Sequence, residues 1–130
     1  REWTPGARAR HALYRNAGNG TFTDITRGSG FDQLPIYALG ATVGDFDNDG
    51  RDDVFVTAVE GGRLLRNAGG NRFVDVTDRA GITNTTFSVS AAWLDYDKDG
   101  LLDLFVGNYV AWSPAAEAQV RCAQNGERGY

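Results

Sequence analysis

Short apolar runs separated by clusters of Gly, Asn and Asp make up most of the chain, and none of the runs shows amphipathic helical spacing. Within one period the pattern predicts a strand at 39–45, an acidic loop, a strand at 53–59 and a turn at Glu60-Gly61-Gly62. Strands at 63–67 and 72–77 follow, joined by the turn-forming stretch Asn67-Ala68-Gly69-Gly70-Asn71. Val54-Phe55-Val56 is apolar at consecutive positions, so this strand should be covered on both faces. The expected unit is a four-stranded antiparallel meander.

The unit recurs. Leu13-Tyr14-Arg15-Asn16-Ala17-Gly18 matches Leu64-Leu65-Arg66-Asn67-Ala68-Gly69, and Phe22-Thr23-Asp24-Ile25-Thr26 matches Phe73-Val74-Asp75-Val76-Thr77, an offset of 51 (13 to 64, 22 to 73). The acidic loops repeat at an offset of 50 (45 to 95), so one residue is missing between Thr77 and Asp95, where a connector tolerates a deletion. A period of about 50 residues with several short strands is the scale of a propeller blade, not of a helical solenoid. The expected fold is all-β, with blades of four-stranded antiparallel meanders and hairpin loops that hold metal.

Those loops carry the chemistry. Asp45, Asp47, Asp49 and Asp53 in one, and Asp95, Asp97, Asp99 and Asp103 in the other, fall at loop positions 1, 3, 5 and 9, with Gly50 and Gly100 at position 6. Carboxylates this close repel unless a cation lies among them, and an all-oxygen set without His or Cys suits Ca2+. Position 7, Arg51 or Leu101, would offer only its backbone carbonyl, which leaves its side chain free to vary. Asp52 occupies position 8, where the second copy has Leu102, and should point away from the ion. An EF-hand is disfavoured because position 12 is Val56 or Val106 instead of a bidentate Glu, and no helices flank the loops. The alternative of solvated Asx turns without metal fits Asp, Asn and Gly equally well at one loop, and less well at two loops in the same phase.

The loop D-x-D-x-D-G-x-x-D with its following apolar strand, together with R-N-x-G and F-x-D-x-T, resembles the FG-GAP/VCBS repeats of integrin α-subunit propellers and of bacterial extracellular proteins. The likeness is greatest to the cartilage-acidic-protein and UnbV-like group, and it covers roughly residues 11–112. The resemblance implies a β-propeller with one structural Ca2+ per motif-bearing blade and no catalytic role for that metal. By position it implies as ligands Asp45, Asp47, Asp49, the Arg51 carbonyl and Asp53, then Asp95, Asp97, Asp99, the Leu101 carbonyl and Asp103. Closing a ring takes about four to eight blades. This chain holds one complete blade at 38–77, the last strands of another and a connector at 1–37, and a partial blade with an irregular tail at 78–130. The expectation is a fragment of a larger propeller, or one that closes only with other chains. The resemblance also implies that Cys122, the single cysteine, pairs with a cysteine beyond Tyr130; a free buried thiol is the alternative.

Composition narrows the function classes. A net charge of −4 argues against nucleic acid, and no segment approaches transmembrane length, so no membrane insertion is expected. Two bound Ca2+ would bring +4 against that −4, so the acidity is local to the loops. Extracellular calcium modules bind at about 0.1–1 mM, which points to secretion or the cell surface, with any leader removed or outside this segment. The repeated residues form no catalytic set, and His11, the single histidine, has no nucleophile near it in sequence. The expectation is therefore no enzyme but a calcium-stabilised scaffold for adhesion, binding or assembly, whose partners are a protein or glycan at the cell surface or other copies of itself. A polysaccharide-binding or polysaccharide-degrading propeller is an alternative, with Trp93, Trp112, Tyr109, Tyr37 and Phe87 as a sugar platform; blade core is the plainer reading of these aromatics. An extracellular filament of blades joined end to end is a second alternative. Asn19 and Asn84 fit the N-glycosylation pattern, and the recurring Arg15 and Arg66, Asp24 and Asp75 suggest ion pairs within or between blades, each Arg with its own repeat's Asp on the simplest reading.

Overall fold

A computed structural model describes residues 11–83 and 86–110 and two short strands, β9 (Ala123–Gln124) and β10 (Glu127–Arg128), that pair antiparallel. Cys122, Trp112 and Asn84 lie outside the described residues, and so do the expectations attached to them. The first hairpin pairs β1 (Tyr14–Asn16) with β2 (Phe22–Asp24). A single 3-10 turn at Phe31–Gln33 follows. β3 (Ala38–Gly44), β4 (Asp53–Ala58), β5 (Arg63–Gly69) and β6 (Arg72–Asp75) then form one four-stranded antiparallel sheet in sequence order. β7 (Phe87–Leu94) and β8 (Asp103–Val110) repeat the β3–β4 hairpin. The fold is all-β and antiparallel, with almost no helix, and the meander of β3 to β6 is the arrangement of a propeller blade.

The register shows why β4 reads as apolar throughout. Val56 and Ala58 enter a cluster with Phe31, Leu34, Ile36 and Leu65, on the side of the preceding segment. Phe55 enters a second cluster with Leu64 and Val76, against which Trp93, Leu104 and Val106 of the following hairpin pack. Alternate residues of one strand thus serve two cores, one toward each neighbouring layer. Close approach fixes small residues at this junction: a Cβ on Gly44 would lie 2.7 Å from Trp93 Cδ1 and 3.1 Å from Leu102 Cδ1. Trp93 stacks on Phe46 with ring centroids 6.4 Å apart and, partly buried, packs against the second cluster. Tyr37 and Tyr109 are exposed, and Tyr109 meets Phe87 edge to face.

The recurring F-x-D-x-T has a structural use that corrects the ion-pair expectation. Thr77 donates its N–H and O–H to Asp75 Oδ1 at 3.0 and 2.6 Å, and its Oγ1 then accepts the Leu64 N–H at 2.9 Å. In the first hairpin the Thr26 N–H donates to Asp24 at 2.9 Å, and Thr26 Oγ1 accepts the Leu13 N–H at 2.8 Å. Each Asp orients a Thr whose hydroxyl satisfies the partner strand after the ladder ends. Arg66 does not pair with Asp75; it reaches Asp47, while Arg63 lies 3.8 Å from Asp75. In the register Asp75 stands opposite Leu65 and Arg66 opposite Val74, so the side chains of Asp75 and Arg66 leave opposite faces of the sheet, and Arg66 turns to the acidic loop. Thr77 is buried, so Thr77→Val strands the Leu64 N–H and lowers unfolding free energy by about 1–3 kcal/mol, whereas Thr77→Ser keeps most of it. Equilibrium urea denaturation of both variants measures the difference.

Candidate metal centre

Both acidic loops close by the same hydrogen bonds. Asp45 Oδ1 accepts the Asp49 N–H at 3.0 Å and Oδ2 the Gly50 N–H at 2.9 Å; Asp95 takes the Asp99 and Gly100 N–H groups at 3.1 Å each. Asp49 Oδ1 accepts the Arg51 N–H at 3.0 Å, and Asp99 Oδ1 the Leu101 N–H at 2.8 Å. The chain turns this tightly because positions 4 and 6 are left-handed, at φ 54° for Asn48 and 81° for Gly50, then 64° for Lys98 and 87° for Gly100. Glycine enters that region without cost and asparagine with little, while lysine is uncommon there.

The turn folds the first three aspartates of each loop inward. One carboxylate oxygen from each of Asp45, Asp47 and Asp49 lies within 4.8 Å of the others, and the same holds for Asp95, Asp97 and Asp99. Three hard oxygen donors at this separation fit a Ca2+ ion, whose oxygens stand about 2.3–2.6 Å from the metal.

The fourth aspartate of each loop has a different place. Asp53 is fully buried at the start of β4, where Oδ2 accepts the Phe46 N–H at 3.2 Å and Oδ1 the Asn67 N–H at 2.7 Å. Asp103 Oδ2 accepts the Tyr96 N–H at 2.8 Å. Asp53 and Asp103 therefore tie the loop to its strand and lie outside the three-carboxylate clusters. Each oxygen that accepts one N–H retains a second lone pair, so this bonding fixes the carboxylate without removing it from a ligand set. Burial pushes the Asp53 carboxyl above its ordinary value, the Asn67 and Phe46 amides pull it down, and the charges of Asp47 and Asp49 push it up again. Asp52 stands outside the cluster and is exposed.

The comparisons with known proteins fall on these same residues. The FG-GAP-like repeat matches the chain twice, over residues 6–56 and 45–106. This chain belongs to the FG-GAP-like repeat family. It is similar to the protein named Cartilage acidic protein 1 of Xenopus tropicalis, with 32% identity over 114 residues, and to that of Mus musculus, with 31% over 114 residues. Each alignment covers 84% of this chain and 17% of the relative, so the chain spans about a sixth of the length of these proteins. The second of the two FG-GAP-like matches opens at Asp45 and contains both aspartate loops.

Three features of this FG-GAP pair were not legible from the aspartates. Asn67, read only as part of a turn, binds the first loop from behind: its Nδ2 donates to the Asp52 carbonyl at 3.0 Å, its N–H holds Asp53, and its own carbonyl accepts Arg51 Nε at 2.9 Å. Its repetition as Asn16 was the available signal. Asn48 Nδ2 donates to the Gly100 carbonyl at 3.3 Å, so the two loops touch. Nothing in one repeat alone could have revealed that contact. The side chain of Arg51, at a position where only the carbonyl was expected to bind, pairs with Asp49, and Arg66 Nη1 stands 3.5 Å from Asp47 Oδ2.

Proposed function

We propose that the two loops each hold one Ca2+ ion and that the chain is a calcium-stabilised, non-enzymatic segment of an extracellular scaffold used for adhesion, binding or assembly. The ligands are Asp45, Asp47, Asp49, Asp53 and the Arg51 carbonyl in the first loop, and Asp95, Asp97, Asp99, Asp103 and the Leu101 carbonyl in the second. The observation that carries this reading is the convergence of three carboxylates at equivalent positions of both repeats. The donors are all oxygen, which suits a hard cation and supplies no redox or thiolate chemistry. What the ion contributes is charge neutralisation and a fixed turn between two core strands.

The extracellular setting is supported by family membership and by the relatives, whose name places an acidic protein in cartilage. No helix among the described residues is long and apolar enough to cross a membrane. The scaffold reading is favoured over a sugar platform because Trp93 is engaged between the sheets. Partners are a protein or glycan at the cell surface, or further copies of the chain.

Equilibrium dialysis against millimolar Ca2+ tests the assignment directly. The expected stoichiometry is two ions per chain, falling to one in Asp47→Ala and to one in Asp97→Ala. Asp52→Ala, at the neighbouring position outside the cluster, retains two. Equal loss in all three variants, or no uptake by the parent chain, refutes the reading.

A further inference from the structure

We infer that the two loops differ in affinity for Ca2+ and that the side chain at loop position 7, Arg51 in one and Leu101 in the other, sets the difference. The inference rests on the calcium reading above and adds a ranking that the repeated aspartates alone do not contain. The two loops share the hydrogen bonds that positions 1 and 5 accept, and the second adds an Asp99 N–H to Asp97 Oδ1 contact at 3.3 Å; the larger distinction is the charge that faces the carboxylates. At the first loop the Arg51 guanidinium pairs with Asp49 Oδ2 while the Arg51 N–H holds Oδ1, so a single residue occupies both oxygens of that ligand. Arg66 adds a second guanidinium, 3.5 Å from Asp47. Three carboxylates and two guanidinium groups leave a formal charge of −1 around the first cluster (−3 + 2).

Among the described residues the three carboxylates of the second cluster, −3 in all, have no guanidinium partner; Lys98, at loop position 4 where the first loop has Asn48, is exposed and pairs with none of them. Leu101 supplies the same backbone N–H to Asp99 but no charge. Affinity at such sites follows the charge and rigidity of the ligand set. An ion entering the first loop must displace Arg51 from Asp49 or accept a cation beside it. Arg51 and Arg66 are substantially exposed, so solvent screens both terms and the effect is moderate. The second loop is expected to bind about three- to tenfold more tightly than the first.

Arg51 acts through Asp49 and is not itself a side-chain ligand, so the test exchanges the two residues in single-site backgrounds. Asp97→Ala isolates the first loop and Asp47→Ala isolates the second, each titrated with CaCl2 by calorimetry. Adding Arg51→Leu to Asp97→Ala should tighten the remaining site by about three- to tenfold, and adding Leu101→Arg to Asp47→Ala should loosen its site by a similar factor. Arg51→Gln, which keeps a donor for the Asn67 carbonyl but no charge, should also tighten the first site, separating charge from the bond that holds the loop to β5. A merely structural role for Arg51 predicts looser binding for Arg51→Leu, little change for Arg51→Gln and no effect of Leu101→Arg. Measurable binding with constants unchanged by these exchanges overturns this inference alone; a chain that takes up no Ca2+ in any background overturns the calcium reading with it.

Discussion

Removing Ca2+ with a chelator is expected to lower the melting temperature of this chain by roughly 4–18 °C. The magnitude follows from mass action. A ligand that binds only the folded state stabilises it by RT ln(1 + [L]/Kd), and with a Kd of about 0.1–1 mM in about 2 mM Ca2+ that is roughly 0.6–1.8 kcal/mol per site. Two sites give roughly 1–4 kcal/mol, and each kilocalorie moves the melting temperature of a domain of this size by about 3–5 °C. Differential scanning calorimetry in millimolar Ca2+ and then in excess EGTA measures it, and superimposable melts would refute the proposal. Magnesium at equal concentration should restore little, because it demands near-ideal octahedral geometry and dehydrates reluctantly.

The buried Asp53 sets the pH direction of the chelated protein. Its carboxyl sits above the ordinary value of 3.8 in the folded state, so between 3.8 and that raised value the folded chain holds more protons than the unfolded one. Stability from this group therefore falls as pH rises through the window, and at neutral pH the penalty of a buried charge beside Asp47 and Asp49 is complete. Asp24 and Asp32 act oppositely, since hydrogen bonds from Thr26 and Gly28 hold them below 3.8, and their contribution is lost only as pH falls beneath that value. Mild acidification of the chelated chain should thus recover part of the lost stability before stronger acid removes it. With Asp53 among its proposed ligands, bound Ca2+ should flatten the first of these two phases.

What the sequence disclosed and what it withheld divide along a physical line. Period-two alternation, consecutive apolar residues in β4 and turn-forming Asn/Gly clusters are properties of local sequence, and they located the strands of the β3 to β6 sheet to within about two residues. The aspartates of each cluster were legible because a tight turn needs glycine at position 6 and spaces its carboxylates by two. The 3-10 turn at Phe31–Gln33 was not, since its stability comes from burying Phe31 and Leu34 against β4 and β5 and not from helical spacing. Arg66 misled because recurrence was read as pairing with the residue that recurs beside it. Its partner lies 19 positions away, in a loop that only the β4–β5 register brings alongside. Contacts between loops, such as Asn48 to Gly100, depend on how sheets stack and leave no trace within one period.

The same stacking makes the two phenylalanines of the repeat unequal, and Phe55→Ala is expected to cost about 3–5 kcal/mol while Phe105→Ala costs about 1 kcal/mol or less. Their sequences match, Val54-Phe55-Val56 against Leu104-Phe105-Val106, and each sits third from the start of its metal-loop strand. Phe55 is 0% exposed, closed in by Leu64, Val76 and the β7–β8 hairpin, whereas Phe105 is 62% exposed. Gly62 shows how tightly the Phe55 site is built, because a Cβ there would run into the ring. Removing the ring therefore leaves a cavity bounded by two sheets, and Gly62→Ala should disturb the same core from the opposite side. β8 pairs only with β7 among the described residues, and none of the described strands closes over Phe105 as β5 and its Leu64 close over Phe55. Equilibrium denaturation of both variants in saturating Ca2+ separates packing from metal binding, and equal losses would mean that Phe105 is buried in solution by a surface these strands do not provide. In that case the apolar side of β8 is an interface, and adding the chain segment or copy that covers it should raise the cost of Phe105→Ala to that of Phe55→Ala.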